Sequence, residues 1–374
     1  MKLDSLFELP TPTGHSPEKD QLNITDGQGD YSLLHTYDCA LLFVNTCKGQ
    51  EEEHKNTAFQ QNITRTLQQM SALSNNCKII NLGTLKTKSS LSETQELLKK
   101  VTQYLLQEEV FPIVIGETQA LNHTLFEACA TTQKNINLTV VDHHINLDEN
   151  DSHSTLKTLV SDPRIGQLTH LGHQRFITSP EYITKLHELH AEVRSIGILR
   201  NDIKEIEPLL RNTHLLNFDL RSIRKGVAKG IYHNNIFGLT EEEACQLCWY
   251  AGNGQYITAA GFYGYHAEKD TEGDTAMLLS TMLWYFMEGY GQRIQEFSFS
   301  SNMYTKYIVP VTEQGPSLSF YKSKRSERWW LVAGEEKLQT HHSTYIPCSY
   351  ADYEKALEGE IPDRWVKATN RIDC

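Results

Sequence analysis

No stretch of this 374-residue chain approaches the roughly 20 apolar residues that a membrane-spanning helix requires, so no membrane span is expected. The first ten residues, Met1 to Pro10, are broken by acids and carry no long apolar run, and no signal peptide is expected there. Positive charge is in deficit. The 35 Lys and Arg against 47 Asp and Glu leave a net charge of −12, which argues against nucleic acid or an anionic membrane as a general partner. Paired cysteine motifs are also scarce: of eight dispersed cysteines only Cys245 and Cys248 are close, with no second pair nearby to finish a zinc site. That dispersal suits a reducing, cytoplasmic setting, and the pair reads as buried helix residues.

What the chain does have is alternation. Short apolar runs bounded by polar residues or glycine occur at Cys39–Val44, Lys78–Leu82, Ile113–Ile115, Leu138–Val141, Val193–Ile198, His214–Phe218 and Tyr256–Ala260. Helical patterns lie between them. One opens at Ser92 as an N-cap, with Leu97, Leu98, Val101, Tyr104 and Leu105 at helical spacing; one has an acidic first turn at Glu241 to Glu243; a third runs from Thr275 to Gly289. Such alternation predicts a mostly parallel sheet covered by helices on both faces. Three segments are expected: an extended arm over 1–35, one α/β domain over 36–295, and a C-terminal appendage over 296–374. The appendage reads as a strand pair, Tyr307–Val311 and Ser317–Tyr321, a third strand Trp329–Val332, and a capped helix from Ser349 to Leu357. Residues 46–56 read as a solvated charged loop.

Four segments carry the chemistry. In Val140-Val141-Asp142-His143-His144-Ile145-Asn146, a buried strand runs into Asp-x-His, placing Asp142 and His144 on one face at its carboxyl end and His143 on the other. The others are Gly116-Glu117-Thr118-Gln119 after an apolar run, Phe218-Asp219-Leu220-Arg221, and Tyr263-Gly264-Tyr265-His266-Ala267. In this order they resemble the motifs of the arginase family, the ureohydrolases that include arginase, agmatinase and formimidoylglutamase, over roughly residues 35–295.

The resemblance implies a three-layer αβα sandwich with an eight-stranded parallel sheet. It also implies two manganese ions held by two His and four Asp, and a later Glu that holds the guanidinium or formimino group of the substrate. On those positions this sequence keeps Asp142, His144 and Asp219. It substitutes Gln119 for a ligand His, Asn146 and Arg221 for ligand Asp residues, and Gly264 for the substrate Glu. The appendage is similar to that of formimidoylglutamase-like proteins from Bacteroidetes.

Charge decides the expected consequence. Four carboxylates balance two divalent ions, whereas Asp142 and Asp219 supply two charges, half of them offset by Arg221. A guanidinium can bridge two carboxylates through paired charge-assisted hydrogen bonds, so Arg221 reads as a built-in cation. The expectation is a family member with no metal and no hydrolase activity, acting in binding or assembly with a protein partner or small ligand. The alternative is a hydrolase of linear amidine C–N bonds, formimidoylglutamate among them, using one Mn or Zn held by Asp142, His144 and Asp219, with His143 or His266 completing the set. His153 reads as an exposed loop histidine rather than a proton shuttle. Homo-oligomers are common in the family. Lys322, Lys324, Arg325, Arg328, Trp329 and Trp330 form a candidate partner surface, against the reading of a small β layer that covers a sheet edge.

Overall fold

The structure, a computed structural model, describes residues 3–10, 20–27, 31–45, 53–86, 90–148, 155–232, 235–296, 299, 302–310, 317–333 and 344–372. Its main sheet contains β1 (Phe7–Glu8), β2 (Ile24–Asp26), β3 (Cys39–Val44), β4 (Ile79–Leu85), β5 (Phe111–Gly116), β6 (Ile136–Val141), β7 (Ile165–His173), β8 (Glu192–Ser195), β9 (Leu215–Asp219) and β10 (Ala259–Tyr263). The strand order is β1-β4-β3-β5-β10-β9-β6-β7-β8, with β2 also on β4. From β4 to β8 along that order, the eight strands pair in parallel; β1 is antiparallel.

Helices cover both faces. In chain order they are α1 (Glu53–Gln68), α2 (Leu91–Gln107), α3 (Leu121–Cys129), α4 (Leu156–Val160), α5 (Pro180–Glu188), α6 (Ile196–Asn201), α7 (Glu207–Arg211), α8 (Glu241–Gly252) and α9 (Asp274–Gly291). Strand β3 shows why the layers form: Cys39, Leu41 and Phe43 enter one apolar cluster with α1, α8 and α9, while Ala40, Leu42 and Val44 enter the other with α2, α3 and α5. Side chains alternate across a strand, so a continuous apolar run serves a sheet buried on both sides. The expected three-layer sandwich is what the chain forms.

Several boundaries differ from expectation. The run at Val193–Ile198 leaves the sheet at Ser195 and enters α6 at Ile196. Strand β10 begins at Ala259, not Tyr256. Helix α2 is capped by Ser90, whose side chain accepts from the Glu93 backbone N–H at 3.2 Å, two residues before the Ser92 cap that was expected. Helix α1 starts at Glu53, inside the segment read as loop; residues 46–52 lie outside the described residues. Strand β7 gave no clear apolar run, because Gln167, His170 and His173 interrupt it, yet both histidines are buried.

A second sheet follows, antiparallel in the order β11 (Tyr304–Pro310), β12 (Ser317–Ser323), β13 (Trp329–Ala333) and β14 (Thr344–Cys348). Helix α10 (Tyr350–Leu357) opens on a capping box between Ser349 and Asp352, and α11 (Asp363–Ile372) closes the described chain. Adjacent residues of a strand face opposite sides, so Trp329 stacks on Tyr353 under α10 while the guanidinium of Arg211, from α7, lies 4.8 Å over the Trp330 ring. Both tryptophans are buried, which removes them from any exposed partner surface. Arg328 is likewise turned inward, 3.3 Å from Glu207. Lys324 and Arg325 stay exposed, and Lys322 is half-buried beside Glu327. Among the described residues no helix is long and apolar enough to cross a membrane.

Candidate functional site

Strands β5, β10, β9 and β6 are consecutive neighbours in the sheet, so the turns after their carboxyl ends converge although residues 117, 142, 219 and 264 are far apart in sequence. They surround a polar cavity of about 340 Å³, lined among others by Gln119, Asp142, His144, Asp219, Arg221 and His266. Asn146 and Gly264 also reach it. The segments singled out in the sequence therefore meet in one place.

Asp219 ends β9 and caps the turn Leu220–Ser222, accepting the Arg221 backbone N–H at 2.7 Å. That turn folds the Arg221 side chain back onto its own cap: Nε lies 3.0 Å from Asp219 Oδ1 and Nη2 3.1 Å from Oδ2. Nη2 is also 3.9 Å from Asp142 Oδ2. The guanidinium forks one carboxylate and reaches the other at the edge of ion-pair distance.

Asp142 has other partners. Its Oδ2 accepts from the Gln119 side-chain amide, and its Oδ1 lies 2.6 Å from both the backbone N and the ring Nδ1 of His143. Burial alone would push the Asp142 carboxyl up, but the His143 hydrogen bond and the charges of His143 and Arg221 hold it well below the usual carboxylate range. In Asp219 burial prevails, raising it above its ordinary value against the pull of Arg221.

His143 corrects an expectation. Strand alternation predicts it on the face opposite Asp142, but β6 ends at Val141, so the alternation stops before the motif and the turn brings the ring onto Asp142. Donor atoms of Asp142, His143 and His144 consequently lie within 4.8 Å of one another. No such grouping of Asp142, His144 and Asp219 occurs among the described residues. Asn146 is engaged in its own loop, accepting from the Asp148 backbone N–H at 2.9 Å. His153 lies outside the described residues.

Gly264, which stands where the family resemblance implies a carboxylate, also has a distinctive backbone. Its φ is +92°, a conformation that L side chains rarely adopt, and a Cβ there would sit 3.3 Å from Asp219 Oδ1. A second donor grouping joins Glu117 and His266, which line the same cavity, to Glu268. Burial pushes His266 down to about 4, so its ring is neutral at pH 7, and it packs edge-on against Tyr232 at 4.1 Å. Glu117 and Tyr232 were not singled out from the sequence. For Glu117 the signal was present, a charged residue directly after a fully apolar strand end.

Comparison with known proteins agrees with this geometry. The sequence model of the Arginase family matches residues 53–288, more than half of the chain, and the chain belongs to that family. A search of curated proteins returns no match. Among solved structures, formiminoglutamase of Trypanosoma cruzi with Mn is similar at a TM-score of 0.62 and 16% identity, covering 69% of this chain and 95% of that one. Formimidoylglutamase of Bacillus subtilis aligns at 0.61 and 14%, covering 76% and 94%. Arginase of Bacillus subtilis aligns at 0.55 and 13%, covering 66% and 98%. At these identities the likeness is one of fold.

Proposed function

We propose that this arginase-family protein is catalytically silent, binds no manganese pair, and acts through binding or assembly. The observation that carries this reading is the Arg221 guanidinium, forked onto Asp219 at 3.0 and 3.1 Å and 3.9 Å from Asp142. It supplies positive charge between two carboxylates that the family pattern assigns to metal. A divalent ion about 4 Å from that guanidinium would meet about 8 kcal/mol of repulsion at an effective dielectric of about 20, twice the figure for unit charges. The Gln119 amide adds a donor where the pattern has an imidazole ligand, and its hydrogen bond takes up one Asp142 oxygen. The left-handed backbone at Gly264 leaves no easy place for the carboxylate that would hold a substrate amidine. The residues present do not fit a two-ion site, and we derive no hydrolytic step through one.

Metal analysis of protein purified without chelator, with urea- and formamide-release assays, tests this. The expected result is neither stoichiometric Mn or Zn nor turnover. Stoichiometric metal with activity lost in Asp219→Ala would replace this reading by the second: a formimidoylglutamase-like hydrolase of linear amidines running on one ion. The clustering of Asp142, His143 and His144 donors is what favours that alternative. A cytoplasmic site of action, homo-oligomers, and a protein or small-molecule partner rather than nucleic acid or membrane complete the proposal.

A further inference from the structure

A groove of about 820 Å³ runs along the seam between α8 and α9, apart from the cavity at the strand ends. The two helices are held together at their carboxyl ends by glycine. A Cβ on Gly252 would lie 2.0 Å from the Phe286 carbonyl oxygen, and one on Gly289 2.5 Å from that of Trp249, so the backbones touch there. Toward the amino ends Cys245 and Leu278, each under 10% exposed, form an apolar floor. Trp249, Tyr250, Met277 and Tyr285 form the walls, with Met277 53% and Tyr285 40% exposed. Large apolar side chains left in water along a continuous trough mark an interaction site more often than a bare surface.

The charge at the groove is one-sided. Its lining holds Glu241, Glu242 and Asp274, all in the first turns of the two helices, and no lysine or arginine. Arg224 answers Glu241 at 2.9 Å and Lys229 answers Asp274 at 3.0 Å, which leaves the exposed Glu242 in excess. Glu241–Tyr250 and Asp274–Tyr285 each span about 15 Å of helix, the length of about three turns. A helix laid antiparallel in the trough would bring its carboxyl-terminal turn to these acids. Lys and Arg are favoured in that turn by the helix dipole, so one orientation satisfies both charge relations.

We propose that this groove docks an amphipathic helix of a partner protein, about three turns long, apolar along one side and carrying Lys or Arg in its last turn. A second copy of this chain fits less well. Its own strongly amphipathic basic helix, α11, has Arg364 on Asp352 and Glu205 and Lys367 on Glu192. The inference does not depend on whether Asp142 and Asp219 hold a metal.

The test is selection of a phage-displayed library of three-turn helical peptides, randomised in side chains, against the full-length protein. Met277→Asp and Glu242→Lys serve as controls; both positions are exposed, and unchanged thermal midpoints confirm folding. The expected binders carry apolar residues at i, i+3 or i+4, and i+7 with Lys or Arg enriched in the last turn, and lose at least about tenfold in affinity on each variant. Binders that hold equally to Met277→Asp, binders without basic enrichment, or an absence of binders would overturn the proposal. So would a change in sedimentation of the unliganded protein on Met277→Asp, which would give the face to a second copy.

Discussion

The interior of the sheet and its carboxyl rim obey different constraints. Within the sheet, β3, β5, β9 and β10 are buried along their whole length, and their side chains divide cleanly between the two helical layers. At the rim β5, β9 and β10 deliver Gln119, Asp219, Arg221 and Gly264, whose polar groups and backbone are packed around one cavity. The fold is carried by apolar burial, which is indifferent to what stands at the strand ends. The rim can therefore change its chemistry while the frame persists, provided that its buried carboxylates keep a counter-charge.

Breaking the interior should have the largest effect. Phe218→Ala removes a fully buried ring stacked on Phe262 and is expected to cost about 4 kcal/mol in urea unfolding, with no change on adding manganese. Arg221→Ala is expected to cost about 3 kcal/mol, because it leaves Asp219 buried without its cation and removes a positive charge 3.9 Å from buried Asp142. Here added Mn²⁺ should recover part of the thermal midpoint, and a variant insensitive to both truncation and metal would remove the built-in cation from the account.

Gly264→Glu sharpens the contrast from the other side. Placing a side chain at φ +92° is expected to cost about 1–3 kcal/mol. Gln119→His, Asn146→Asp and Arg221→Asp together should therefore regain metal more readily without Gly264→Glu than with it, as isothermal titration would show.

Acid should destabilise the protein through buried histidines. Burial lowers His214 from 6.5 to about 4 and His173 to about 4, and His214 Nδ1 accepts the Asn137 backbone N–H at 2.9 Å, which requires the neutral ring. Between pH 6.5 and 4 the unfolded chain takes up protons that the folded chain does not. Stability should then be full above about 6.5 and decline as pH falls toward 4, and His214→Phe should flatten the slope in thermal melts. Smallest of all, Lys324→Ala and Arg325→Ala should shift stability by no more than about 0.5 kcal/mol, since both side chains are exposed.

Much of the frame was legible because parallel strands buried on both faces read as apolar runs, and β3, β5, β6 and β9 fall at or within two residues of those runs. Strand β7 was not, because its buried His170 and His173 imitate a polar segment. The two tryptophans of β13 suggested a surface and proved to be interior, since opposite faces of that strand are covered by α10 and by Arg211. At the site, identities at the ligand positions were plain in the sequence, whereas the posture of His143 depended on where β6 stopped.

The sequence by itself determined most of the central parallel strands and which donor types are present at each strand end, because burial periodicity and side-chain chemistry are local properties. Only the tertiary structure decided that Arg221, already forked on its near neighbour Asp219, comes within 3.9 Å of Asp142, that the Gln119 amide donates to the same Asp142 carboxylate, and that α8 and α9 leave an acidic-mouthed apolar trough between them. Those outcomes depend on distances between residues far apart in the chain, which are fixed when the strands take their order in the sheet and the helices pack upon it.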